Sequence, residues 1–333
     1  MKKIKRVLGG IIIIILLGVW AFNSPFLATM VIRMLFHGGD AVKPEDYQEI
    51  VEKVQIDRNI SYHSKYKQGF FDLVYPKNQN SALPVIVWVH GGGFVGGDKS
   101  DIEEYAVQLA SNGYVVVNIN YALAPEAKYP TPINQLEELY QFLMENAEVY
   151  QLDMSRVFFA GDSAGAHIVT QFVLVQTNED YAKLVDRNAI MDTNTIQGML
   201  LFCGPYDMEK FVEIGNNNAI IKFLLYRVLW GYTGIREVSD NYLLKELSLI
   251  DYVNEGFPDT FITDGNTFTF MQQGIDFAHK LESLGVYVKA VFYETDEKLI
   301  HEYQFKMDNE FSYHTFSELL LFLMEANTHD EQK

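Results

Sequence analysis

The chain has 333 residues, 44 Asp plus Glu against 26 Lys plus Arg, and a formal net charge of −18 at pH 7. Its 48% hydrophobic and 21% charged residues supply a substantial core and exclude disorder as the main state, while the acidic balance repels phosphate backbones and excludes non-specific nucleic-acid binding. The single cysteine, Cys203, excludes an intrachain disulfide framework and a zinc site built on several thiolates.

The first element is apolar. Lys2, Lys3, Lys5 and Arg6 precede an uncharged stretch over 7–22 that contains five consecutive isoleucines. Its length falls between a secretory apolar region of roughly 7–15 residues and a spanning helix of roughly 17–25. Residues 1–24 are therefore expected to be a membrane anchor or a cleaved signal. The bulky Phe22 and Asn23 after Val19-Trp20-Ala21 make a poor cleavage site and favour the anchor. Basic residues ahead of the stretch place the amino terminus in the cytoplasm and the rest of the chain outside, with secretion as the alternative. A second apolar piece, 25–36, carries Arg33 in its middle and reads as an interfacial or packing helix within an N-terminal helical or cap region, 25–60.

From 61 to the end no repeat or low-complexity run appears, so one domain is expected. Short β-branched runs at 70–75, 85–89, 114–119, 157–160, 199–203, 261–263 and 286–292 have the character of buried parallel strands. Helical patterns over 102–111, 132–146, 164–176, 271–284 and 313–326 alternate with them, which specifies an α/β doubly wound sheet. The segment 204–258 is too long for a loop and carries apolar helical material, so it reads as an inserted cap over the carboxyl ends of the strands.

Gly161-Asp162-Ser163-Ala164-Gly165 follows the strand 157–160 directly and opens a helix. A serine at the apex of such a turn is held exposed and strained, and glycines two residues to either side let strand and helix approach. His90-Gly91-Gly92-Gly93-Phe94 ends the strand 85–89. Its side-chain-free N–H groups, from Gly91, Gly92 and Gly93, together with that of Ala164, are expected to form an oxyanion hole. A phosphate loop is the alternative for a glycine run, but Gly96-Gly97-Asp98-Lys99-Ser100 lacks the required register. His90 reads as a loop-holding residue rather than a base. Cys203, at the end of an apolar strand, reads as a buried hydrophobe rather than a nucleophile. No His-Glu-x-x-His metal spacing occurs.

These motifs, with Tyr121-Ala122-Leu123-Ala124-Pro125-Glu126 and a late His301, stand in the order of the hormone-sensitive-lipase-like branch of the α/β-hydrolases, which the chain resembles over roughly 62–305. The resemblance implies a mostly parallel α/β-hydrolase sheet with a helical cap, a Ser-His-acid triad, and no metal or organic cofactor. His301 matches the family's general base, within His301-Glu302-Tyr303 where the family more often has His-Gly-Phe. Ala122 stands where an arginine is usual, so a structural ion pair is expected to be missing. The family's acid falls on Phe268, which cannot orient an imidazole. Asp264 is the nearest substitute, with Asp207 and Asp296 behind it.

The expected activity is hydrolysis of small to medium uncharged acyl esters through an acyl-enzyme on Ser163, with the high negative charge disfavouring anionic substrates. The alternatives are a catalytically impaired binding protein that kept the fold, and an amide or peptide hydrolase.

Overall fold

The computed structural model describes residues 6, 9–13, 16, 18–19, 23–35, 41–215, 218–237 and 242–329. Its strands are Val54–Ser61 (β1), Phe70–Pro76 (β2), Leu83–Val89 (β3), Val115–Ile119 (β4), Leu152–Asp162 (β5), Ile196–Phe202 (β6), Thr260–Thr263 (β7) and Val288–Val291 (β8). They form one sheet in the order β1-β2-β4-β3-β5-β6-β7-β8. From β4 onward every neighbouring pair is parallel, as the buried β-branched runs predict.

The first two strands depart from expectation. β2 runs antiparallel to β4, and β1 runs antiparallel to β2, so the sheet begins at Val54 within the region expected to be helical. The reason is local: Val-Gln-Ile-Asp-Arg-Asn-Ile-Ser is an edge strand with a register shift between Asp57 and Ile60, and it lacks a continuous apolar run.

Two apolar cores cover the sheet. Val85, Val87 and Val89 face one, and Ile86 and Trp88 face the other, as alternation along a strand requires. The helices Glu103–Ser111, Thr131–Asn146, Ala164–Thr177, Met271–Ser283 and Glu310–His329 occupy the expected segments. Between β6 and β7 the cap contains Met208–Phe211, Ala219–Thr233 and Tyr242–Leu247. The helix Phe26–Leu35 packs on Ala219–Thr233 and joins this cap.

Arg33 is the pin of that helix. Its Nε donates to Val95 O at 2.6 Å, Nη2 donates to Ala124 O at 2.7 Å, and its two terminal nitrogens grip the Glu126 carboxylate at 3.0 and 2.7 Å. Glu126, in the same motif as Ala122, is thus paired with a distant arginine, which holds its carboxyl below the usual range. The ion pair is partly exposed and contributes little by itself. The two carbonyls lie in the part-buried interface. Arg33→Ala is expected to destabilise the protein by about 1–3 kcal/mol, read by thermal or urea unfolding, with Glu126→Gln costing less. Equal costs would contradict this division.

Most of the expected anchor segment lies outside the described residues. Among the described residues no helix is long and apolar enough to cross a membrane, and Ile11, Ile12, Ile13, Leu16 and Val19 are each at least half exposed.

Candidate active site

Sheet register brings the site together. Val89 pairs with Gly161, Asp162 with Phe202, and Phe202 with Thr263, so β3, β5, β6 and β7 end at one level. The next residues along those strands are His90, Ser163, Cys203 and Asp264. Chain separation of up to 174 positions is thus removed by parallel pairing alone.

Ser163 occupies φ 52°, ψ −117°, a left-handed conformation costly for a residue with a Cβ. The turn is possible because Gly161 and Gly165 face each other: a Cβ on Gly161 would lie 2.5 Å from Gly165 C, and one on Gly165 would collide with Val89 O. Ser163 Oγ lies 2.9 Å from His301 Nε2.

His301 is held opposite by a zipped pair of loops. Asn266 N and Thr267 N donate to Leu299 O at 2.8 and 2.9 Å, and Thr267 bridges to Ile300. Asp264, next to this contact, is buried and accepts from Gly265 N at 2.7 Å and Phe270 N at 2.8 Å. Its Oδ1 is 3.8 Å from His301 Nδ1, an ion-pair separation longer than a hydrogen bond, and Nδ1 has no hydrogen-bond partner. Burial pulls the His301 imidazole down, but Asp264, Glu302 and Asp162 outweigh it and leave the pKa above 6.5. The Asp264 carboxyl is raised by burial, against the pull of His301 and its two backbone donors.

The other acid candidates are engaged elsewhere. Asp207 caps Met208–Phe211 through Lys210 N, accepts from the Ser248 hydroxyl and pairs with Lys210 Nζ at 2.9 Å. Asp296 is exposed. Phe268 is 81% exposed and lines the cavity rim.

The glycine loop requires one correction. Gly91 N donates to Asp162 Oδ2 at 2.7 Å, so Gly91 is not the oxyanion donor expected of it. Its role is to hold the loop, and a Cβ there would collide with the same carboxylate. Gly93 and Ala164 both line the cavity beside Ser163. Gly92 and Gly93 adopt φ of 102° and 59°, which turns the loop over the site. Ala164 opens its helix, where first-turn N–H groups lack intrahelical acceptors.

His90 is buried, bonds Gly91 O through Nδ1 at 2.8 Å and stacks on Tyr121 at 4.5 Å. Burial lowers its pKa and keeps it neutral, as fits a loop-holding residue. His167 bonds Pro205 O and is lowered to about 4 by burial. Cys203 is buried behind the pair, one side-chain atom each of Cys203, Asp264 and His301 lying within 4.8 Å of one another. Burial first, then Asp264, pushes its thiol well up, which opposes thiolate chemistry. Sequence reasoning gave no sign of this proximity.

Ser163 and His301 line a cavity of about 640 Å³ whose walls also include Ile32, Phe94, Ile221, Leu224 and Val228. The size is that of a small-molecule pocket. Phe211 contributes to its lining, whereas Trp230 packs with Arg227 and Arg236, and Tyr232 stacks on Phe94.

The BD-FAE family model matches residues 71–281. A protein of Acanthamoeba polyphaga mimivirus whose name places it among the alpha/beta hydrolases is 24% identical over 270 residues, 75% of this chain and 72% of that protein. Esterase B from Lactobacillus rhamnosis, solved inhibited by a C4-C4 tributyrin phosphonate, superposes with a TM-score of 0.71 at 19% identity, covering 95% of each chain. A bacterial heroin esterase gives 0.64 at 22% identity, over 82% of this chain and 84% of its own.

Proposed function

The chain belongs to the BD-FAE family and has the α/β-hydrolase fold, and from that premise we propose that it is a serine carboxylic-ester hydrolase acting through an acyl-enzyme on Ser163. The observation that carries this reading is the 2.9 Å contact of Ser163 Oγ with His301 Nε2 on the wall of the apolar cavity.

Ser163 Oγ attacks the ester carbonyl while His301 Nε2 takes its proton. Negative charge develops on the carbonyl oxygen beside the backbone N–H groups of Gly93 and Ala164, with Gly92 next in the loop, and preformed donors there lower the barrier. The tetrahedral intermediate expels the alcohol, which leaves with the proton returned by His301. Water then attacks the acyl-enzyme, gives a proton to His301, and the acid departs as Ser163 recovers its hydrogen. Asp264 keeps the imidazole oriented and stabilises its protonated form. Its 3.8 Å separation is that of the free protein, in which catalytic contacts are often longer than in the substrate complex.

The cavity walls favour uncharged acyl groups of small to medium length, and the net charge of −18 repels anionic esters. The phosphonate-inhibited esterase B supports short acyl chains as the starting series. A set of p-nitrophenyl esters of rising acyl length and matched anilides tests this reading. Turnover of the esters is expected, and Leu224→Trp should move the optimum to shorter chains by filling the cavity. Hydrolysis of the anilides alone would contradict the esterase assignment. A second reading, a binding protein with an impaired triad, is favoured by the unpartnered His301 Nδ1 and predicts no turnover of either series.

A further inference from the structure

Residue 302, the position next to the base, carries a glutamate in a left-handed conformation, φ 63° and ψ 26°. An ordinary L residue pays conformational energy there, and outliers of this kind near a site justify a search for a role. The Glu302 side chain is 37% exposed, yet its Oε1 is turned inward: it lies 3.9 Å from His301 Nε2 and 3.0 Å from where a Gly91 Cβ would sit. The Asp162 and Glu302 carboxyls converge on that same point, a Gly91 Cβ lying 2.4 Å from Asp162 Oδ2 as well. Asp162 is itself buried, and its two oxygens accept from Trp88 Nε1 at 2.8 Å and Gly91 N at 2.7 Å. Two carboxyl groups therefore meet between the His301 loop and the glycine loop.

We propose that Glu302 is a positioning residue that shares one proton with Asp162, so that a carboxyl–carboxylate bridge ties the His301 loop to the glycine loop. The proposal rests on the Ser163–His301 reading. Two carboxylates in contact cannot both ionise without strong repulsion, and a single proton between them turns repulsion into a hydrogen bond. The groups facing the pair are His301 on the same loop, Asp264 after β7, Asp101 on the turn after the glycine loop, Cys203 after β6 and Tyr121 after β4. Burial first, and the Glu302 charge second, raise Asp162, against its donors Trp88 and Gly91. Burial also raises Glu302; the Asp101 and Asp264 charges add to this, against the opposing pull of His301. Both directions favour a proton held between the two groups. When that proton leaves, the two charges separate and the partly exposed Glu302 can turn to solvent, releasing the His301 loop.

The test is the pH profile of kcat/KM for ester hydrolysis by the wild type, Glu302→Gln and Glu302→Gly, with 13C NMR titration of the side-chain carboxyl carbons. The acid limb belongs to His301, which must be neutral to act as base, and its midpoint is expected above 6.5. The wild type should also lose activity on the alkaline side as the bridging proton leaves. Glu302→Gln donates to Asp162 at every pH, so it should keep neutral activity within about threefold and flatten the alkaline limb. Glu302→Gly should lose about tenfold at neutral pH, the size of one net hydrogen bond. Besides the raised Asp264 carboxyl, the NMR titration should show a second carboxyl titrating above the ordinary range in the wild type and not in Glu302→Gln. Coincident profiles of wild type and Glu302→Gln, or no raised carboxyl besides that of Asp264 in an active wild type, would overturn the proposal. A folded wild type without ester turnover but with the second raised carboxyl would overturn the serine-esterase reading while leaving the shared proton in place.

Discussion

Ser163→Ala is expected to lower ester turnover by about 10⁴-fold or more, with His301→Ala equally damaging and the double variant no worse than either single one. The two residues act as one unit: Oγ is a poor nucleophile until Nε2 accepts its proton, and they are already 2.9 Å apart. Non-additivity separates this from two independent structural losses, which would multiply. Ser163 is only 8% exposed, and alanine fits its turn with no added volume, so folding should survive. Steady-state kinetics on a p-nitrophenyl ester give the comparison, and Ser163→Ala within tenfold of wild type would contradict the assignment.

Asp264→Asn carries the second large effect, a fall in kcat of about 10⁴-fold if the carboxylate orients His301, as for a related triad whose acid was made an amide. The substitution also disturbs folding. Asp264 accepts from two backbone N–H groups, and asparagine keeps one carbonyl oxygen for them, so roughly 1 kcal/mol of stability is expected to be lost. Asp207→Asn should leave kcat within about threefold, because asparagine serves equally well as a helix cap. Parallel kinetics and thermal unfolding of the two variants separate the roles. A large loss with Asp207→Asn and none with Asp264→Asn would move the acid to the end of β6.

The parts of the fold that could be read from the sequence are those in which composition and position agree. β3 to β7 are apolar runs covered on both faces, and the helices between them show clear periodicity. β1 escaped because an edge strand needs only one buried face, and Gln55, Asp57, Arg58 and Asn59 interrupt any run. The antiparallel direction of β2 is a property of its partners and not of its own residues.

At the site, Ser163 and His301 could be located because each lies at the end of a readable strand or loop. Asp264 was accessible only through the absence of an acid at Phe268. The contacts that were missed join distant segments through side-chain geometry: Arg33 reaching Glu126 across 93 positions, Gly91 N bound by Asp162, and Cys203 behind the histidine. Residue spacing carries no signal for these. The departure from glycine after His301 was the one local sign that Glu302 has surroundings of its own.

The most direct test of the account is labelling of the purified protein by a fluorophosphonate, read as intact mass, beside Ser163→Ala and His301→Ala. Phosphonylation requires an activated serine and no knowledge of the natural ester. The account predicts a single adduct on the wild type, located at Ser163 by peptide mapping and lost in both variants. A folded wild type that takes up no probe, or an adduct that persists in Ser163→Ala, would contradict it.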